Sequence, residues 1–495
     1  MQVVFIAPSG QRYMADAFWD GGETWRVRFC PDEVGEWRWE FPRSDAAAGR
    51  LNGKEGAFAC VPYEGENPLY LHGALKLSEN RRYLVHDDGT AFFWLGDTAW
   101  NGVLRSEESE WREYLQTRRS QGFSIIQFVS TQWRARSKGV SGQTAYSGTR
   151  DIKINPEFFR RLDQKVSAIN KSGLVAAPVI LWANTESDPG RALSQTDAIS
   201  LARYIIARWG AYHVVWMLAG DGNYLGTNSQ RWKHIAKTVF SGRRRLVTMH
   251  PDGQSWVGDE FRTQDWFDIL GYQSGHGSSR EHLLWLVAGP PASDWRKEPA
   301  LPIVNLEPNY ETHPSYHEKM YFGDAEVRRA AYWSLLLTPT AGVTFGHNSI
   351  WLWAREPEIP EGHEWIGVVK EWREGLDSPG VRSMSILRRF FDSLPWWRLQ
   401  PAPEILLNQP GKKDDPAGFV AVAKARKEPG SPVFAVVYIP AGNEVRPEPT
   451  AFRQPLNARW FDPRLGEYRD APRAETLAFV PPDSRDWVLH IEEQT

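Results

Sequence analysis

The stretch HVVWMLAGDGN (213–223) decides the fold. Six consecutive apolar residues, Val214 to Ala219, run straight into Gly220, Asp221 and Gly222. Apolar sequence without alternation suits a strand buried on both faces, as in a parallel sheet clothed by helices. A carboxylate directly behind such a strand suits a site at its C-terminal end.

Seven further runs of this kind flank it: AFFWLGD (91–97), SIIQFVS (124–130), VAAPVIL (175–181), RLVTMH (245–250), DILGYQS (268–274), PIVNLEP (302–308) and GVTFGHN (342–348). The segments between them read helical. Asn155 is placed to cap a helix that starts at Pro156, buries Phe159, Leu162, Val166 and Ile169 on one face, and stops at Gly173. Trp111, Tyr114 and Leu115 give the same spacing ahead of Gly122. Eight strands alternating with helices over 77–400 predict an α/β architecture, a (β/α)8 TIM barrel. A doubly wound open sheet is the competitor, but no glycine-rich phosphate loop follows the first strand.

The flanks are different. In 1–76, WRVRF (25–29) and EWRWEF (36–41) alternate apolar and charged residues around the turn-rich CPDEVG (30–35), which predicts a small β-sandwich. It is shorter than the roughly 100 residues of an immunoglobulin-like sandwich, so its first strand is either missing or lent by another element. In 401–495, GFVAVAKA (418–425), SPVFAVVYIP (431–440), LNARWFDPRLGEYRD (456–470) and RDWVLHIEE (485–493) predict a second β-sandwich.

Composition narrows the function. At 495 residues, with a net charge of -3, the chain has no global attraction for nucleic acid or anionic membranes, and no stretch reaches the roughly 18 to 20 apolar residues of a membrane helix. The start, MQVVFIAPSGQRY, has no basic segment followed by an apolar one. As it stands the chain reads as cytoplasmic; a removed leader would make it secreted or periplasmic. Cys30 and Cys60 exclude a disulfide scaffold and a cysteine zinc site. No cofactor is expected, because Walker, dinucleotide and G-x-S-x-G signatures are missing. His313 and His317 are four apart, but Pro314 intervenes and no HExxH glutamate is present, so no metal is expected there. Tryptophan is in excess, with 25 residues, and some of it is expected on a surface that binds flat apolar faces.

The strand ends carry polar residues in a pattern a purely structural barrel would not need. Asp221 after the fourth strand and Glu307 after the seventh lie nearly opposite each other across an eightfold barrel. Glycoside hydrolysis uses such a pair, one carboxyl protonating the leaving oxygen and the other attacking the anomeric carbon or activating water. Further candidates for sugar contacts are Asn223, Gln273 and Asn348. Asp97 would bind sugar hydroxyls or cap the next helix, and Tyr272 would hold Glu307 ionised or sit in the core. His250 and His347 would contact sugar or orient a carboxylate. Trp100, Trp133, Trp182 and Trp351 are candidate stacking platforms, and Arg134, Arg136 and Lys138 form a basic loop that would attract an acidic sugar or be simply solvated.

These motifs have family counterparts. DGGETWRVRFCPDEVGEWRWEF (20–41) resembles the N-terminal DUF5060-type domain that precedes many glycoside hydrolase barrels. FFWLGDTAW (92–100), VVWMLAGDGN (214–223), VTMHP (247–251) and GYQSGH (271–276) resemble the apiosidase-like DUF4038 barrel, related to glycoside hydrolase family 140. FVPPDSRDWVLHIE (479–492) resembles the C-terminal domain type named after collagen binding. The resemblance implies a retaining clan A hydrolase with Asp221 as acid/base and Glu307 as nucleophile, acting on a carbohydrate partner as a monomer or small homo-oligomer. Most clan A enzymes carry Asn-Glu where this chain has Gly220-Asp221; the apiosidase-like branch shares the aspartate. Pentose, apiose, arabinose or pectic linkages are the expected substrates. An inverting hydrolase, a transglycosylase and a non-catalytic sugar-binding protein on a vestigial barrel are the alternatives.

Overall fold

The computed structural model describes residues 1–42, 49, 51–132, 142–240, 246–411, 415–453, 455–471 and 478–494. All eight apolar runs form strands: Trp94–Thr98, Ile125–Val129, Val175–Trp182, Val215–Gly220, Leu246–His250, Leu270–Gln273, Ile303–Glu307 and Gly342–Phe345, numbered one to eight below. They are parallel and pair in the order five, four, three, two, one, eight, seven, six. Between five and six, the N–H groups of Asp268 and Ile269 donate to the Val247 carbonyl, and that of Gly271 to Thr248 Oγ1, so the barrel is nearly closed.

Alternation inside each buried strand separates two cores. Trp94, Ile125, Val175, Ala177, Val215, Met217, Leu246, Val304 and Leu306 fill the barrel, while Leu95, Ile126, Ala176, Trp216, Val247 and Ile303 face the surrounding helices. The helix predicted from Pro156 spans Pro156–Lys171, and the Asn155 side chain accepts hydrogen bonds from the N–H groups of Glu157 and Phe158. The segment holding Trp111 is helical over Glu108–Ser120.

Two register irregularities position the site. Met217 and Gly220 of strand four pair with Thr248 and His250 of strand five, so strand four carries an extra residue just before Asp221. Asn305 and Glu307 of strand seven pair with Tyr272 and Gln273 of strand six, an extra residue just before the Glu307 carboxylate. Bulges of this kind re-aim the next side chain, and simple alternation would have left Glu307 on the helix side with Asn305.

The N-terminal flank holds a four-stranded antiparallel sheet in the order Arg12–Asp16, Gln2–Ile6, Gly35–Glu40, Glu55–Cys60, and a separate two-stranded ribbon. WRVRF contributes only Trp25–Arg26, paired with Phe18–Trp19. Its alternation has another cause: Val27 and Phe29 pack on the N-terminal core, whereas Arg28 pairs with Asp163 and donates to the Arg208 carbonyl on the barrel helices. Cys30 and Cys60 are both free thiols.

The C-terminal flank is a six-stranded antiparallel sheet with Val433–Ile439 and Trp487–Glu493 at its centre. One face, with Phe434, Val436 and Tyr438, joins the helix layer of the barrel; the other, with Ala435, Val437 and Leu489, has its own core. Arg328, on helix Asp324–Leu336 of the barrel, forms a bidentate pair with Asp486, Nε to Oδ2 at 2.8 Å and Nη2 to Oδ1 at 2.9 Å, with both side chains buried.

Candidate active site

Glu307 lies at the mouth of the barrel with 7% of its surface exposed. Two imidazoles bracket its carboxylate: His276 Nε2 is 3.0 Å from Oε1, and His250 Nε2 is 3.3 Å from Oε2. The other nitrogen of His276, Nδ1, accepts the backbone N–H of Tyr310 at 3.3 Å. That acceptor role places the proton of a neutral His276 on Nε2, where it is donated to Glu307. Burial alone would raise the carboxyl pKa. The His250 imidazole 3.3 Å away and the hydrogen bond from His276 outweigh it and hold the group well below the usual carboxylate range.

Asp221 is half-buried on strand four's far end, in a left-handed conformation with φ 45°. Non-glycine residues in that region carry strain of about 1–3 kcal/mol, which persists only where surrounding structure enforces it. Here the enforcement is visible. The Asp221 N–H donates to the His250 carbonyl at 2.6 Å, and Asn184 Nδ2 donates to its Oδ2 at 2.5 Å. His250 thus touches both carboxylate residues, one through its carbonyl and the other through its ring. A Cβ on Gly220 would come within 2.5 Å of the Trp182 ring and of Val179, so the residue before Asp221 must be glycine.

Beneath the carboxylates a buried polar chain fixes the strand-seven bulge. Trp94 Nε1 donates to Thr344 Oγ1, Thr344 Oγ1 donates to Gln127 Oε1, and Gln127 Nε2 donates to the Leu306 carbonyl, at 3.0, 2.9 and 3.1 Å. Every member is satisfied, the condition under which a buried polar network rigidifies a site. Tyr310, three residues past Glu307, sets its ring 4.4 Å from that of His276, tilted by 54°. Burial first, then the Glu307 charge, push its phenol well above the ordinary range. A Cβ on Gly346 would fall 2.1 Å from the Tyr310 ring, so the residue after strand eight is glycine, which admits that ring.

Several candidates lie elsewhere than expected. Asp97 shares the outward face of strand one with Leu95; it accepts hydrogen bonds from Tyr114 Oη at 2.7 Å and Arg118 Nε at 2.5 Å and is fully buried. It locks a strand to a helix and neither binds sugar nor caps. Tyr272 also faces outward, packed between Trp256 and Trp285 with its hydroxyl toward Ser334, so it does not hold Glu307. His347 caps the short helix Asn348–Leu352 by accepting the Ser349 N–H, so its Nδ1 is spent on local structure, and burial depresses its pKa to about 3. Asn348 donates to the Thr312 carbonyl and accepts from Trp351 Nε1, so its amide is spent on loop structure. Asn223 is exposed and accepts the Leu225 N–H in a turn.

Gln273 is buried beside Gly253 at the end of strand six. Trp100 and Trp182 stand edge to face at 5.3 Å, and each ring adjoins His250, at 5.2 and 6.1 Å. Trp100 and Trp182 wall the His250 side of the site, and with Trp351 they are almost wholly buried, so none of the three offers an exposed platform. His313 Nδ1 donates to the Pro314 carbonyl; its ring faces His276 while that of His317 faces His282. Trp133, Arg134, Arg136 and Lys138 lie outside the described residues. The residues missed from sequence are Asn184, His276 and Tyr310. The GYQSGH motif contained His276, and the Ala183-Asn184 step after strand three was the available signal for Asn184.

Comparison with known proteins gives the family of the barrel and relatives of the fold. The family described as apiosidase-like, catalytic domain, matches residues 78–398. The DUF5060 type, a domain of unknown function, matches residues 1–43, and the domain type named after collagen binding in a collagenase matches 401–492. No curated protein sequence matches the chain. Among solved structures, a glycoside hydrolase family 5 protein from Bacteroides vulgatus superposes with a TM-score of 0.74 at 21% identity, covering 87% of this chain and 95% of that one. A second, described as a glycoside hydrolase, gives 0.73 at 22%, covering 87% and 99%.

Proposed function

Because the chain belongs to the apiosidase-like catalytic family, we propose that it is a retaining glycoside hydrolase with Glu307 as nucleophile and Asp221 as acid/base. The observation that carries this reading is the electrostatic asymmetry of the two carboxylates. Glu307 is buried and kept ionised by two imidazoles, as an attacking oxygen needs. Asp221 is half-buried at the cleft mouth, within reach of a leaving group and of water.

In the first step a Glu307 oxygen bonds to the anomeric carbon, the bond to the leaving oxygen breaks, and the Asp221 proton passes to that oxygen. Once esterified, Glu307 no longer carries charge, which makes Asp221 easier to ionise and readies it as a base. In the second step Asp221 takes a proton from water, the water oxygen bonds to the anomeric carbon, and Glu307 leaves as a carboxylate. Carbohydrate is the substrate class; pentose, apiose, arabinose and pectic linkages are the favoured subset.

Glu307→Gln tests the assignment. It should abolish turnover of nitrophenyl glycosides and pectic oligosaccharides while leaving the far-ultraviolet circular dichroism and the melting transition in place. Near-wild-type activity in the variant would remove Glu307 as nucleophile. Sugar binding without hydrolysis across the whole panel would favour the non-catalytic alternative.

A further inference from the structure

The rim of the barrel mouth carries an aromatic surface that the two-carboxylate chemistry does not use. Trp365, in the loop after strand eight, is 55% exposed, and Tyr316, in the loop after strand seven, is 48% exposed. Their rings lie 5.7 Å apart, tilted by 48°. Both lean on the buried ring of His313, at 5.3 and 6.0 Å, and His313 lies 4.0 Å from His276. The Tyr316 N–H donates to the His276 carbonyl at 2.9 Å. An unbroken aromatic column therefore runs from the imidazole that holds Glu307 to an indole in solvent.

Scattered exposed aromatics need no explanation, but two adjoining ones on the lip of a cleft mark a binding surface. The turn that displays Trp365 is anchored to the barrel. It is a one-turn helix, Glu364–Ile366, closed by Gly367 at φ 81° and pinned by the buried Ile366. Fixed aromatic surface binds with little loss of conformational entropy. The C–H face of a sugar ring is a flat apolar partner for such a surface, while its hydroxyls remain in water.

Position within the barrel sets which sugar this is. Strand eight lies opposite strand four in the strand order, so the loop holding Trp365 is across the mouth from Asp221, where the leaving group departs. We propose that Trp365 and Tyr316 form an outer sugar subsite on the glycone side, stacking a residue of the chain portion that is transferred to Glu307. The substrate is accordingly a glycan with at least one sugar beyond the cleaved one. The side assignment rests on the hydrolase reading above; the stacking itself does not.

Two measurements separate the claims. Affinity electrophoresis of the Glu307→Gln chain, through gels holding pectin, rhamnogalacturonan, arabinan, xylan or galactomannan, reads stacking without catalysis. At least one polysaccharide should retard it. Adding Trp365→Ala should weaken that retention about tenfold, and Trp365→Phe should keep most of it. No retardation in any gel, or retention indifferent to Trp365→Ala, overturns the subsite. Kinetics on nitrophenyl glycosides carrying one sugar, or two or more, then read the side. Trp365→Ala should lower kcat/KM for the longer glycones about tenfold more than for the single sugar; equal losses overturn the glycone-side placement. Binding that behaves as stated, in a wild-type protein that hydrolyses none of the glycosides, leaves the stack standing and removes the hydrolase reading.

Discussion

His276 Nε2 stands 3.0 Å from Glu307 Oε1, with its tautomer set by the Tyr310 N–H on the far side of the ring. With His250 on the other oxygen, this contact keeps the carboxylate ionised despite burial. In His276→Ala, Glu307 loses a donor and its pKa rises. The acid limb of the kcat/KM profile should therefore move to higher pH, with a loss on the order of tenfold near neutrality. A pH profile distinguishes this from a merely structural defect, which would lower the whole curve without moving its limb. The same coupling acts on stability. The folded-state pKa of Glu307 is depressed, so its contribution is present above the unfolded value near 4.5 and is lost as the pH falls through the folded one. Chemical denaturation of wild type and His276→Ala from pH 7 downward should show a smaller acid-dependent loss in the variant.

Asp221→Asn keeps a side chain that tolerates the left-handed backbone but cannot donate or take the proton. Loss of a general acid/base costs about 10²–10⁴-fold. That loss should be large for substrates with alkyl leaving groups and small in the first step for dinitrophenyl glycosides, whose departure needs no proton. Added azide should restore turnover of the activated substrate. Equal losses for both leaving groups would count against Asp221 as the acid.

Asp97 belongs to the framework of the barrel. Asp97→Ala leaves the fully buried Arg118 guanidinium without its carboxylate. Breaking one side of a buried pair costs about 3–5 kcal/mol. The urea midpoint should fall accordingly, while KM of the remaining folded protein stays at its wild-type value. A raised KM with unchanged stability would return Asp97 to the sugar.

The C-terminal sheet is fastened to the barrel by Arg328 and Asp486, with Tyr332 stacked 4.6 Å from Tyr438 beside them. Asp486→Ala should cost about 3–5 kcal/mol and separate the melting of the sheet from that of the barrel in calorimetry. One unchanged cooperative transition would contradict the role of this pair.

The barrel was legible because its strands are buried on both faces, which forces uninterrupted apolar runs such as Val214 to Ala219. That same property hides which way a strand-end side chain points. Asp97 and Tyr272 read as site residues from position alone, yet both fall on the outward parity of their strands, beside Leu95 and against Trp285. Glu307 faces the mouth only because of a bulge, which no pattern of apolar residues records. His276 and Asn184 come from loops past the strand ends, where periodicity carries no information. Trp365 sits in a segment rich in Glu, Pro and Gly whose turn, and not whose composition, presents the ring.

Covalent trapping is the most direct test of the retaining mechanism. The protein is incubated with a panel of dinitrophenyl 2-deoxy-2-fluoroglycosides, digested, and sequenced by mass spectrometry. The predicted result is one added fluoroglycosyl mass on the peptide containing Glu307, absent from Glu307→Gln. Label on another residue, or hydrolysis of the parent glycosides with inverted anomeric configuration, would contradict it.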